Sequence, residues 1–245
     1  MTERLRDARI KIERARMHLS SLDSEAAGFA TVNPFPVVSD RDANGDTVAR
    51  VMVAGQPPPV MSAIVGDLVH NLRSALDYVA WQLVESNHGQ PDTRTGYPIC
   101  VAEKDFESSG RAALRGAKEE AILAIRATQP FIAAAPEAHP LEVLRRLDNH
   151  DKHRLLHDIG GVVDAFLVKR GPETPGVVFV HRGPRKILVD GDVIATIKSS
   201  TSGTLPIKVT VGLVLNSEEA PLRALLESLF VAVEDTVARV EHLLA

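Results

Sequence analysis

The chain has 245 residues, 44% of them apolar and 24% charged, with a formal net charge of -4. That is enough length and hydrophobicity for a sizeable core, and disorder is not expected outside the ends and a few loops. The 28 Lys and Arg are interspersed with 32 Asp and Glu, so no basic stripe of the kind that coats nucleic acid runs along the sequence.

Leu5, Ala8, Ile12, Ala15, Leu19 and Leu22 recur at steps of three and four, which predicts an amphipathic helix over about residues 2–25. Val32–Val38 and Thr47–Val53 flank Asn44-Gly45, a tight-turn pair, so a hairpin is expected over residues 32–53. Pro57-Pro58-Pro59 stops the second strand and opens a helix. That helix is predicted over about residues 60–87, with Val65, Leu68, Leu72, Leu76, Val79 and Leu83 in one stripe and Gly89 just past its end. A loop follows with Tyr97-Pro98-Ile99-Cys100. Shorter helices are expected at about 103–109 and 114–128, the second stopped by Pro130.

A further helix is predicted from Pro140 to His157, closed by Gly160-Gly161. Val162–Lys169, Val177–His181, Lys186–Val189, Val193–Lys198 and Ile207–Leu215 then read as strands, with Gly-Pro, Asp190-Gly191 and Ser202-Gly203 between them. The last helix starts near Glu218, with a stripe of Leu222, Leu225, Leu229, Val233, Val237, Val240 and Leu244. The predicted fold is α+β: a bundle of long helices with an antiparallel β-meander inserted before the C-terminal helix. A single domain over 1–245 is expected, with a helical core of 1–158 plus 217–245, the hairpin at 32–53 and the sheet at 162–215.

Cys100 is the only cysteine, which rules out an intrachain disulfide and fits a reducing compartment; it reads as a small buried hydrophobe. The first residues lack the apolar run of a signal peptide. No stretch approaches the ~18 uninterrupted apolar residues of a membrane span. A cytoplasmic protein without a membrane partner is the expectation.

Two helices carry the polar residues of interest. On the second, His70, Arg73 and Asp77 fall within a band of roughly 60° at ~100° per residue. Arg73 and Asp77 are four apart and can pair. On the later helix Leu144, Leu147 and Leu155 define a buried face, and Asp151 falls in its middle. A buried carboxylate needs a partner, and Arg73 is the one expected. Asn149, Lys152 and Arg154 flank Asp151, while His150, His153 and His157 line another side.

Three readings of these residues stand open. Asp151, Arg73, His70 and Asn149 can be a polar lock that fixes two helices in register without chemistry. They can be catalytic: His153 beside Lys152 and Arg154 suits metal-free phosphodiester cleavage, with a ribose 2′-hydroxyl as nucleophile, histidine as base and arginine as charge stabiliser. Or His150, His153 and His157 can bind a metal, which needs a ligand from another element because one helix rarely closes a site. There is no G-x-S-x-G elbow, no G-x-G-x-x-G and no well-spaced phosphate loop.

Gly66-Asp67-Leu68-Val69-His70-Asn71-Leu72-Arg73-Ser74-Ala75-Leu76-Asp77 and Leu147-Asp148-Asn149-His150-Asp151-Lys152-His153-Arg154-Leu155-Leu156 resemble the signature of a bacterial family of proteins without an assigned activity. Tyr97-Pro98-Ile99 and Gln129-Pro130-Phe131 resemble it too, so the likeness spans roughly residues 1–157. The resemblance implies a shared site of His70, Asn71, Arg73, Asp77, Asn149, Asp151, Lys152, His153 and Arg154, and no particular reaction.

A weaker likeness is to HEPN-type helical-bundle ribonucleases, marked by an Arg followed by four to six residues and a His. Arg145 to His150 and Arg146 to His153 fit that spacing, although Leu147 stands where a polar residue usually follows the Arg in the second case. This likeness implies metal-independent ribonuclease or nucleotide-processing activity; the alternative is a non-enzymatic binding or structural protein. The expected catalytic set is His70, Arg73, Asp77, Asn149, Asp151, Lys152, His153 and Arg154, with no cofactor and no metal. The expected partner is a small molecule or RNA, without an extended nucleic-acid surface, and a homodimer is compatible with exposed apolar positions on the first and last helices.

Overall fold

A computed structural model describes residues 3–151, 159–168, 177–180, 187–197, 207–215, 218 and 220–244. The α+β class holds, with long helices and antiparallel strands. In chain order these are α1 (Arg6–Thr31), β1 (Val37–Arg41), β2 (Thr47–Val51) and α2 (Pro59–Ser86). Two single-turn helices follow, α3 (Glu103–Asp105) and α4 (Arg111–Ala113), then α5 (Glu119–Arg126) and α6 (Pro140–Asp151). The strands β3 (Ile159–Val168), β4 (Val177–Val180), β5 (Val193–Ile197) and β6 (Ile207–Leu215) precede α7 (Leu222–Glu241). The chain divides into two compact units: Met1–Leu22 with Ser62–Leu156 and Leu225–Ala245, and Asp23–Met61 with His157–Ala224.

In the helical unit, α1 buries the expected stripe of Ala8, Ile12, Ala15, Leu19 and Leu22. It packs antiparallel to α7. Arg9 pairs with Glu241, Arg16 pairs with Glu234, and the Arg16 guanidinium lies 4.9 Å over the Phe230 ring. Partly exposed pairs of this kind contribute ~1 kcal/mol or less each. The apolar surface beneath them contributes far more, at roughly 25 cal/mol per Å². α2 buries more than one stripe: Val65, Leu68, Val69, Leu72, Ala75, Leu76, Val79, Ala80, Leu83 and Val84 are all inside. It is a central helix covered on two sides, not an amphipathic surface one.

In the other unit, β1 and β2 form the expected hairpin, with Val37 opposite Val51 and Arg41 opposite Thr47. Its turn is held by Asp42, whose Oδ1 accepts the N–H groups of Asn44 and Asp46, and Gly45 takes φ +80°. The later strands do not form one meander. The two sheets run β1-β2-β5 and β4-β3-β6, so β5 leaves its sequence neighbours to join the hairpin. Thr47, Val48, Ala49 and Val51 of β2 are all buried, and β2 is paired on both edges, with β1 and with β5. Val51 exchanges backbone hydrogen bonds with Gly191 and Asp192, and Asp190 Oδ1 accepts the Val53 N–H. Phe35, Val51 and Leu188 form the core there.

Two further expectations change. Residues 187–189 lie in no strand; the Leu188 N–H donates to the Gly161 carbonyl and the Val189 N–H to the Asp192 carboxylate. Gly160-Gly161 belong to β3 and do not close a helix. Their hydrogens are needed for close packing: a β-carbon on Gly161 would lie 2.5 Å from Phe35 Cζ, and one on Gly160 2.6 Å from Ile187 Cδ1.

Candidate functional site

The helical unit carries a polar centre between α2 and α6. α6 opens at Pro140, and the ring Nδ1 of His139 accepts the Leu141 N–H at 3.2 Å, a cap on its first turn. Leu141, Val143, Leu144 and Leu147 make the buried face expected of it. Two carboxylates are buried on the same helix. Glu142 is held by both ends of the Arg145 guanidinium, at 2.6 and 2.7 Å. Asp148 is 3% exposed, and its Oδ1 lies 3.3 Å from His70 Nδ1 on α2. The His70 side chain is 57% exposed, so the ring is fixed at its inner nitrogen and open at its outer edge.

Asp151, one turn after Asp148, meets α2 at Gly66. A β-carbon on Gly66 would stand 2.3 Å from Asp151 Oδ1, so the carboxylate occupies the space a side chain would take. Asp151 is half-buried and not enclosed. Burial is the main cause that raises its pKa; Asp67 and Asp148 add to the rise, and His70 and His150 partly offset it. The expected Arg73–Asp151 pair is absent. Of Asp148 and Asp151, the one that is fully buried is Asp148, and its neighbour on α2 is His70.

Arg73 and Asp77 do pair, and they serve a different purpose. The Arg73 guanidinium donates to Asp77 Oδ1 and to the Tyr97 carbonyl, both at 2.8 Å, and the Tyr97 N–H donates to the same Asp77 oxygen at 2.9 Å. Both polar groups of the Tyr97 backbone are thus tied to α2. Gln129, buried, continues the clamp: its Oε1 accepts the Cys100 N–H at 3.0 Å and its amide donates to the Pro98 carbonyl at 2.9 Å. The Phe131 N–H donates to the Cys100 carbonyl. The Tyr97 ring is fully buried, with its hydroxyl bonded to Thr128 Oγ1, and burial pushes its pKa up to about 12. The Tyr97-Pro98-Ile99 and Gln129-Pro130-Phe131 segments are therefore one backbone clamp.

The structure brings His70 and Asp151 together with Gly66, Asp67 and Asp148, and separately joins Arg73 and Asp77 to Tyr97. The Asn71 amide is spent on the Asp67 carbonyl one turn back. Asn149 and His150 are exposed. Lys152, His153, Arg154 and His157 lie outside the described residues. Asp148 is the residue of this centre that the expected set does not contain. The signal was present: Leu141, Leu144 and Asp148 fall at steps of three and four, the period of a buried face.

Among the described residues, no group of three or more His, Cys, Asp and Glu is arranged to hold a metal ion, and no helix is long and apolar enough to cross a membrane. What the centre offers is proton transfer. An imidazole fixed at Nδ1 by a buried carboxylate presents Nε2 outward, as a base held by an orienting acid does. No family model, no curated protein and no solved structure matches the chain.

Proposed function

We propose that the protein is a metal-independent, HEPN-like ribonuclease or nucleotide-processing enzyme whose base is His70. The observation that carries this reading is the solvent-facing imidazole held at Nδ1 by the buried carboxylate of Asp148. In the proposed step, His70 Nε2 takes the proton of a ribose 2′-hydroxyl. The 2′-oxygen then bonds to the adjacent phosphorus, and the bond from phosphorus to the 5′-oxygen breaks. Asp151, kept more readily protonated by burial and by Asp67 and Asp148, gives its proton to the leaving oxygen. The products are a 2′,3′-cyclic phosphate and a 5′-hydroxyl. Asp148 stabilises the imidazolium in between. Lys152, His153 and Arg154 follow directly in sequence, and the proposal gives them the phosphate charge. A reducing cytoplasmic location belongs to the same proposal, supported by the lone Cys100.

A second reading has its own observation. Arg73 and Asp77 are spent on Tyr97, which favours a polar lock in which the whole set holds helices and loops in register without chemistry. Incubating RNA and free nucleotides with the protein in the presence of a chelator separates the two. The enzyme reading expects cleavage by wild type and its loss in His70→Ala; a wild-type protein that cleaves nothing supports the lock.

A further inference from the structure

A groove of about 500 Å³ runs along α7, against the segment from Ala127 to Leu141. Its volume is in the range of small-molecule sites, ~300–1,000 Å³. Ile132 and Val231 line it and are 55% and 56% exposed, with Leu141 behind them. Together they form an open apolar wall beside α7.

The polar side of the groove is more specific. Val231, Asp235 and Arg239 stand at steps of four on α7 and so share one stripe. Asp and Arg four apart on a helix ordinarily pair. Here neither Asp235 nor Arg239 has an ion pair or a hydrogen bond among the described residues. The hydroxyls of Thr128, Ser228 and Thr236, also in the wall, donate to the carbonyls of Ile125, Leu225 and Ala232. His139 accepts the Leu141 N–H at Nδ1, and burial lowers its pKa. Its neutral ring therefore carries its proton on Nε2. The groups left open are one guanidinium, one carboxylate and one neutral N–H donor, beside an apolar surface.

The geometry points to a binding site for a free α-amino acid with an apolar side chain. The ligand carboxylate takes Arg239 with His139 as a second donor, its ammonium takes Asp235, and its side chain lies on Val231 and Ile132. An anion alone would face the Asp235 carboxylate, and a cation alone would face Arg239; only a zwitterion satisfies both. This site is separate from the His70 centre and does not depend on the reading given to it.

The test is titration calorimetry of the whole protein with leucine, with 3-methylbutylamine (leucine without its carboxylate) and with 4-methylpentanoate (leucine without its ammonium). Leucine is expected to bind saturably and each truncated compound at least ~10-fold more weakly, the size of one lost charge-assisted hydrogen bond. Arg239→Gln and Asp235→Asn, both at exposed positions, are each expected to weaken leucine by the same factor with an unchanged circular dichroism spectrum. No saturable heat at millimolar leucine overturns the proposal. So does a truncated compound that binds as tightly as leucine, or a pair of variants that bind it like wild type.

Discussion

The carboxylate of Asp151 fills the space beside Gly66 where a side chain would stand, 2.3 Å from the nearest oxygen and 2.6 Å from Cγ to the position of a β-carbon. Glycine in a helix ordinarily costs ~1 kcal/mol relative to alanine, so its place in α2 is explained by this approach. Gly66→Ala is expected to lower the unfolding free energy by ~1–2 kcal/mol, since the overpacking outweighs the propensity gain. In an Asp151→Ala background the same change is expected to be neutral or stabilising by up to ~1 kcal/mol. Urea unfolding of the four proteins in a double-mutant cycle reads the sign change.

Asp151 also sets a pH dependence. Its ordinary value is about 3.8 and the folded value lies above it. The folded state therefore favours the protonated carboxyl. Its contribution is fully present below the unfolded value and is lost as pH rises through the folded one. Asp151→Asn is expected to raise the melting temperature at pH 7, and the gain is expected to shrink as pH falls toward 4. A buried pair with Arg73 would give the opposite sign at neutral pH, so a series of thermal melts decides between the two arrangements.

Gln129→Leu is expected to cost ~2–4 kcal/mol, because it leaves the Pro98 carbonyl and the Cys100 N–H without partners in a dry interior. The thiol of Cys100 supplies a local readout. It is buried, and burial first of all pushes its pKa up, so it is expected to react slowly with a disulfide reagent. Release of its backbone in Gln129→Leu is expected to speed labelling under conditions where the protein remains folded.

Arg73 and Asp77 stood among the catalytic candidates, and the geometry gives them the Tyr97 backbone to hold. Arg73→Lys keeps the charge and loses the planar fork. It is expected to lower stability by ~1–2 kcal/mol and to leave the rate per folded molecule within about twofold of wild type. A group acting on the reacting phosphate would instead lose ~10²-fold or more. Melting and turnover measured on the same sample distinguish them.

The legible parts of the fold were those with short-range causes. The stripe of α1 follows from Ala8, Ile12, Ala15, Leu19 and Leu22 alone, and the hairpin from Asn44-Gly45 between two apolar runs. The departure of β5 to pair with β2 was not legible, because the strands are far apart in sequence and nothing local names the partner. Gly160-Gly161 carry the same letters as a helix stop, and only Phe35 and Ile187, brought from elsewhere, require them in a strand. In the site, the i,i+4 spacing announced the Arg73–Asp77 pair. Asp148 and Asp151 both point toward the inner half of α6, and periodicity alone could not say which one meets His70.

The most direct measurement is the rate at which the protein, in chelator, converts a short RNA into a product ending in a 2′,3′-cyclic phosphate. Wild type is expected to form it and to leave the matching DNA intact. His70→Ala and Asp148→Asn are expected to lose ~10²-fold or more, the range of general base catalysis, with His70→Ala still folded. Absence of the cyclic phosphate with wild type, or its formation at an undiminished rate by His70→Ala, would contradict a proton-transfer role for the imidazole that Asp148 holds.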